Sequence, residues 1–306
     1  MKKTYTVTIG IPAHNEGNNI KKVLSSILDQ QQEGWKLETI AVYCDGCTDK
    51  TAENARSVTK RQITVIDDGK RLGKTTRLQQ MFNALSSDIL LMLDADIKLY
   101  NKQVITHLVE AFAKDEKVML VGGNSRPFSP RTFFENAVYS TFQVFYRSRR
   151  HFKHGNNVFG CTGSILAIRK TFSDQIIFPN IINEDAYLYM ACISNKYKFR
   201  YVDKAIVEYK LPNNISDYVK QVFRSEPISV VYELEKYFGK RAEREFHRPI
   251  RFYVSAVLSV FFTNPLGVIS IIVINLLCRP LIPFILKNYK LEWFTAHSTK
   301  YQQANH

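Results

Sequence analysis

A chain of 306 residues, 45% hydrophobic and 23% charged, carries enough apolar material for a sizeable core, which excludes a disordered chain. Its formal charge of +14 favours an anionic partner, and nucleic acid, a nucleotide diphosphate, a phospholipid surface and a lipid phosphate all meet that description. The five cysteines are an odd number, and the opening MKKTYTVTIGIP lacks the long apolar stretch of a secretory signal, so a reduced, cytoplasm-facing protein is expected.

Residues 5–12 (YTVTIGIP) are rich in β-formers and are followed by a polar loop. Ile20, Val23, Leu24, Ile27 and Leu28 then fall on one helical face. The pattern repeats with a strand at 37–43, a helix over 49–59 that Thr48 can cap, a strand at 63–66, a helix over about 74–86 and an apolar strand at 89–93. A further helix over about 101–113 leads to a strand at 117–121. This alternation predicts an α/β fold with a doubly wound, mostly parallel sheet, whose ligands sit beyond the carboxyl ends of the strands. After Gly122 the alternation stops, and an aromatic and basic segment (130–154) precedes short elements up to about 210. Residues 214–247 read as mainly helical.

Residues 252–278 carry no charge, a stretch longer than the roughly 20 apolar residues that span a bilayer. Thr263-Asn264-Pro265 interrupts it, so the expectation is a membrane-associated C-terminal helical segment, either one kinked span or a re-entrant hairpin. Arg244, Arg248 and Arg251 before it, and Arg279, Lys287 and Lys290 after it, put positive charge on both flanks and favour the hairpin. The expected organisation is a catalytic domain over 1–226, an interfacial helical linker over 227–250, a hydrophobic segment over 251–290 and a polar tail over 291–306.

Polar clusters fall at the predicted strand ends. Ile11-Pro12-Ala13-His14-Asn15-Glu16 closes the first strand with an amide and a carboxylate, although a plain turn uses similar residues. Asp45 closes the second, where it can accept hydrogen bonds from a nucleobase or ribose, while Gly46 permits a tight turn and Thr48 or Asp49 can cap the next helix. Cys44 and Cys47 form a C-x-x-C, the spacing of a redox pair or half a zinc site, but no second Cys/His pair at zinc spacing completes it. Asp94-Ala95-Asp96 follows a buried strand, and its hard oxygens suit Mg²⁺ or Mn²⁺, which neutralises a diphosphate. Glu184-Asp185 follows Asn183 at a predicted helix start and suits either capping or catalysis.

In order and spacing, IPAHNE (11–16), CDGCTDKT (44–51), RLGK (71–74), DAD (94–96), FGCTGSILAIRK (159–170) and NED (183–185) resemble the inverting glycosyltransferase family 2 over roughly residues 5–226. That resemblance implies a glycosyltransferase-A fold, a Mn²⁺ or Mg²⁺ cofactor, and a nucleotide-diphosphate sugar as donor, UDP-linked ahead of GDP-linked. It places Pro12, Ala13, Glu16, Asp45, Lys74, Asp94, Ala95 and Arg224 on the donor, with Asp45 at the base and Lys74 beside it. Asp94 would meet the ribose or the metal and Asp96 the metal, while Asp185, paired with Glu184, would be the general base. Gln221 and Arg224 match part of a Q-x-x-R-W motif of processive members, with Ser225 in place of the tryptophan. Cys44 stands where the family usually has an acid.

The acceptor expected from the charge-free segment is lipid-linked or membrane-presented, with the catalytic domain on the cytoplasmic side and no role for nucleic acid. Two rival readings exist. ITVIDDGKRLGKTT imitates a phosphate-binding loop, but three residues rather than four separate Gly69 from Gly73. Arg147, Arg149, Arg150 and Lys153 would suit a non-enzymatic binding protein, or equally a solvated basic face.

Overall fold

The structure is a computed structural model that describes residues 3–224 and 227–278. In chain order its elements are β1 (Tyr5–Ala13), α1 (Ile20–Leu28), β2 (Trp35–Cys44), α2 (Thr51–Arg56), β3 (Ile63–Asp67), α3 (Lys74–Asn83), β4 (Ile89–Leu93), β5 (Ile97–Leu99), α4 (Val104–Lys114), β6 (Val118–Pro127) and α5 (Phe133–His151). There follow β7 (Ile165–Arg169), α6 (Lys170–Ser173), α7 (Glu184–Ser194), β8 (Lys198–Tyr209), α8 (Ile215–Arg224), α9 (Pro227–Phe238), α10 (Arg241–Phe246), α11 (Ile250–Phe261) and α12 (Pro265–Cys278). The chain forms two compact units. One holds the described residues through Ser125 together with Gly160–Tyr209, and the other holds Arg126–Phe159 with the described residues from Lys210.

The first unit is built on a sheet of order β3-β2-β1-β4-β7-β6-β8-β5. β1 pairs in parallel with β2 and β4, and β2 with β3, so the apolar runs of β1 and β4 lie in the middle of the sheet and are covered on both faces. α1 buries Ile20, Val23, Leu24 and Ile27, the face its periodicity predicts. The remainder of the sheet departs from the mostly parallel expectation. β7 runs antiparallel to β4 and β6, and β5 antiparallel to β8, so the sheet is mixed. The physical reason is the connection: after β6 the chain leaves this unit through α5, and β7 then enters between β4 and β6 in the opposite direction. One consequence is functional, because antiparallel pairing sets the start of β7 beside the end of β4, where Asp94 N–H donates to the Ser164 carbonyl at 3.3 Å.

The second helix is shorter than predicted, and Thr48 does not cap it. The Thr48 N–H donates to Asn15 Oδ1 at 2.8 Å, while Asp49 Oδ1 accepts the Thr51 N–H at 2.9 Å.

In the second unit, Thr132 and Glu135 form a capping box at the start of α5. Among the described residues the charge-free segment is not one continuous helix. It divides into α11 and α12, with 12 and 14 described residues, and at about 1.5 Å per residue neither described stretch covers the ~30 Å bilayer core. Among the described residues no helix is long and apolar enough to cross a membrane. The break is written in Asn264-Pro265. Asn264 Oδ1 accepts the Gly267 N–H at 3.1 Å as an N-cap, and Pro265 occupies the first helical position, where its missing N–H is not needed. The Asn264 amide also donates to Asn136 and Ser140 on α5, at 3.0 Å each. Val144, Ala256, Val260 and Val268 form the apolar contact among the three helices. The predicted boundaries beyond 278, including the tail at 291–306, lie outside the described residues.

The 147–154 stretch is not one solvated face. Arg149 is buried, donates to the Phe159 carbonyl at 3.4 Å and lies against the rings of Phe145 and Tyr146, while Arg147 bonds Ser259.

Because Asn264 both caps α12 and ties it to α5, Asn264→Ala is expected to lower stability by about 1–2 kcal/mol. Urea unfolding followed by circular dichroism measures this, and an unchanged midpoint would show the cap to be idle.

Candidate active site

Asp45 sits at the end of β2 with its side chain fully buried. Its Oδ1 accepts the N–H of Leu72 (2.7 Å) and of Gly73 (3.1 Å) and the Nε–H of Arg77 (3.1 Å). Arg77 is equally buried, and its other nitrogens reach Asp68 at 2.7 and 3.2 Å and the Lys70 carbonyl at 2.6 Å. The Asp68 carboxyl is held down at about 2 by the hydrogen bond from Arg77 and the Lys70 N–H. Together these contacts hold the 68–73 loop, in which Gly69 and Gly73 adopt positive φ. Gly46 also has positive φ, and a Cβ there would stand 3.0 Å from the Arg71 backbone nitrogen, so only glycine lets the two loops approach.

α3 begins directly after Gly73, and its first residue is Lys74. The Lys74 ammonium lies 2.8 Å from Asp94 Oδ1 and 2.7 Å from Glu184 Oε1, linking the loop after β4 to the start of α7. Burial works against this charge, but Asp94 and Glu184 outweigh it and raise the Lys74 pKa. Next to Glu184, Asp185 accepts the Gly163 N–H on Oδ2 (2.9 Å) and the Ala186 N–H on Oδ1 (2.7 Å). Burial and then the Glu184 charge push its pKa up to about 6, against the opposing pull of Lys74 and the two N–H groups. A Cβ on Gly163 would meet the Lys74 ammonium at 3.1 Å and Glu184 at 3.2 Å, so a side chain at this position would press on the ion pair. Pro12, Lys74, Asp94, Gly163, Glu184 and Asp185 line one pocket.

The remaining expected residues divide. Ala13 is buried and its carbonyl accepts the Asp45 N–H at 2.8 Å. Glu16 serves its own turn, accepting from Asn19 at 2.6 Å. Ala95 is buried and Asp96 half-buried in the turn between β4 and β5. Arg224 closes α8, and its side chain lies outside the described residues. Sequence reasoning missed Arg77 and Gly163. Arg77 offered one signal, an arginine beside Leu78 and Met81 on the buried face of α3.

With this geometry in hand, the comparisons with known proteins have a structural meaning. The glycosyl transferase family 2 model matches residues 8–177, and the chain belongs to that family. A 4,4'-diaponeurosporenoate glycosyltransferase of Staphylococcus haemolyticus (strain JCSC1435) is 29% identical over 116 residues, 37% of this chain and 30% of that protein. One from Staphylococcus aureus (strain USA300) is 33% identical over 108 residues, 35% of this chain and 28% of that protein. The chain thus spans less than a third of the length of these curated relatives. Among solved structures, a mannosyltransferase from Pyrobaculum calidifontis in complex with GDP-Man and Mn²⁺ superposes with a TM-score of 0.60 at 16% identity, covering 94% of this chain and 81% of that one. Glucosyl-3-phosphoglycerate synthase from Mycobacterium tuberculosis, in complex with Mn²⁺, UDP and glucosyl-3-phosphoglycerate, gives a TM-score of 0.54 at 17% identity over 77% of this chain and 80% of that one. These likenesses show the glycosyltransferase-A fold. Membership of this family does not favour the phosphate-binding-loop and non-enzymatic readings.

Removing Arg77 takes one guanidinium from a buried carboxylate that keeps Arg71 at 3.4 Å and the N–H groups of Leu72 and Gly73. Arg77→Met is therefore expected to cost about 1.5–3 kcal/mol, the range for a lost hydrogen bond to a charged group. Chemical denaturation measures it, and a loss under about 1 kcal/mol would mean that Asp45 finds solvent or another donor.

Proposed function

We propose that the protein is a glycosyltransferase that moves a sugar, with inversion, from a nucleotide-diphosphate donor to a hydroxyl of a lipid-linked or membrane-presented acceptor. The observation that carries the catalytic part is the Lys74 bridge, which holds the Asp94 loop and the Glu184-Asp185 helix start around one pocket. Solved structures of this fold contain GDP-Man with Mn²⁺ or UDP with Mn²⁺, which supports a nucleotide sugar and a divalent ion here.

The donor set fits such an ion. Among the described residues no group of three metal-ligating side chains occurs, but Mg²⁺ and Mn²⁺ are commonly held by one or two carboxylates with substrate phosphates and water completing the shell. Asp94 and Asp96 would hold it, and its charge would neutralise the leaving diphosphate. Lys74 lies beside Asp94 and offers a cation to the same phosphates. Asp45 supports the nucleotide pocket by fixing the 71–74 loop, and a direct contact with the base would require it to share oxygens already engaged.

Asp185 removes the acceptor proton as the acceptor oxygen attacks the anomeric carbon opposite the leaving diphosphate, which inverts that centre. Its two N–H partners set the direction of the carboxylate. With a pKa of about 6, it is mostly ionised at neutral pH yet more basic than an ordinary aspartate. Activity should therefore rise with pH through about 6. Its stability contribution has the opposite sense: a folded pKa raised above the unfolded 3.8 favours the folded state at low pH, and that advantage is lost as pH climbs through about 6.

Tests use full-length protein, Mn²⁺ and a panel of UDP- and GDP-sugars. Asp96→Asn should weaken Mn²⁺-dependent nucleotide binding about tenfold or more. Asp185→Asn should keep nucleotide affinity and lose about 100- to 10,000-fold in kcat. Glu184→Gln should shift the ascending limb of kcat/KM to lower pH, because a like charge is removed. Activity undiminished by chelator, or full transfer by Asp185→Asn, would defeat the mechanism.

The membrane part of the proposal, with the catalytic unit on the cytoplasmic face, draws on the second unit. α11, α12 and their junction expose Tyr253, Leu258, Phe262, Leu266, Ile272 and Leu277, with Phe262 82% exposed. Apolar surface of this kind marks an interaction site, and a helix pair that turns back at Asn264-Pro265 suits insertion into one leaflet. Full-length protein should float with anionic phospholipid vesicles, and Phe262→Glu with Leu266→Glu should reduce the bound fraction roughly tenfold or more. Equal flotation of both forms would count against a lipid partner.

A further inference from the structure

Cys44 and Cys47 take no part in the proposed transfer, yet one tight turn brings both to the Ala13 end of β1. Cys44 is fully buried at the last position of β2, in register with Ala13 of β1. Cys47 is half-buried and also meets the Ala13 carbonyl at 3.3 Å. No third ligand accompanies them among the described residues, so the pair is a dithiol and not a metal site. We propose that Cys44 and Cys47 form a redox modification site, oxidised by a low-molecular-weight disulfide to an intramolecular disulfide that deforms the donor-binding loop. The effect on the donor rests on the function proposed above, whereas the thiol chemistry does not.

The two sulfurs have different roles. The hydrogen bond from Cys44 lowers the Cys47 pKa to about 6, with burial opposing and the Asn15 N–H and Thr51 adding to the shift. Cys44 is pushed strongly upward by the same bond and by burial. Cys47 thiolate attacks one sulfur of the small disulfide and expels a thiolate. Cys44 then loses its proton and attacks Cys47 in the mixed disulfide, releasing the second small thiol. The protein gives up two electrons, the oxidant is reduced to two thiol equivalents, and the Cys44 proton leaves with them. Cys161 and Cys192 are buried with pKa values raised by desolvation, Cys192 to about 12, so neither competes.

The link to the donor site is geometric. A disulfide draws the sulfurs to about 2 Å, which takes Cys47 from the Ala13 carbonyl and tightens the Asp45-Gly46 turn. Asp45 holds Leu72, Gly73 and Arg77 through its carboxylate and His14 through its carbonyl, at 2.7 Å. Gly46 is pressed against the Arg71 backbone. A shift of this turn therefore reaches the loop that orients Lys74.

Full-length protein is treated with oxidised glutathione, denatured, alkylated and mapped by mass spectrometry, and UDP binding with Mn²⁺ is measured before oxidation, after oxidation and after dithiothreitol. The expected result is a Cys44–Cys47 link with Cys161 and Cys192 alkylated, a loss of UDP affinity of about tenfold or more, and recovery on reduction. Cys47→Ser should keep its own UDP affinity through the same treatment. Recovery of Cys44 and Cys47 as alkylated thiols, or linked elsewhere, overturns the site. A linked protein with unchanged UDP affinity overturns its coupling to the donor. If reduced protein binds no nucleotide, the donor reading fails, and the map alone decides the dithiol.

Discussion

The contact between Asp45 and Arg77 is the constraint on which the ligand end of the sheet depends. Neither side chain has exposed surface, and taking two charges out of water costs several kcal/mol each unless their hydrogen-bonding capacity is filled. Here it is filled, by two backbone N–H groups on the aspartate and by Asp68 and a carbonyl on the arginine. The pair thereby specifies one conformation for a loop that two glycines with positive φ would otherwise leave with many. Since α3 starts where this loop ends, the direction of Lys74 follows from it.

Lys74 then solves an electrostatic problem that the rest of the chain does not share. The protein has a formal charge of +14, but the loop after β4 and the start of α7 bring carboxylates to one small region. Asp94 and Glu184 would repel strongly in a medium of reduced dielectric constant. One ammonium within hydrogen-bonding distance of both removes that repulsion and makes the two segments a unit. The antiparallel entry of β7 adds the third member, because it carries Gly163 alongside Asp94 and offers its N–H to Asp185. A bulkier residue at 163 would stand in the space of the bridge itself.

Much of this was legible from local pattern. The parallel strands of the first half are apolar runs bounded by loops, and the residues just beyond them, Asp45 and Asp94, were recognisable as strand-end carboxylates. The antiparallel half was not legible, because β5 has three residues, β8 mixes buried and half-buried positions, and their pairing is settled by partners distant in sequence. Arg77 was hidden for a related reason: in TTRLQQ it reads as an ordinary helix-surface arginine until Asp45 is seen facing it. The Lys74–Glu184 bridge joins segments that no periodicity connects. Asn264-Pro265 was visible as an interruption, but its cap and its bonds to α5 required the fold.

Two adjacent acids at the start of α7 differ because their surroundings differ. Glu184 meets the ammonium of Lys74 directly, and an acid so engaged is poorly placed to take a proton from an acceptor. Asp185 is ringed instead by backbone N–H groups, which orient it but leave it less compensated than its own desolvation requires. Glu184, anchored by Lys74, adds its charge to the same balance and raises the basicity of Asp185 further. The first acid is thus best understood as the one that sets the second, with Lys74 fixing the distance over which it acts. Under the proposed transfer, that division gives each carboxylate its own task where a single acid would be enough to cap the helix.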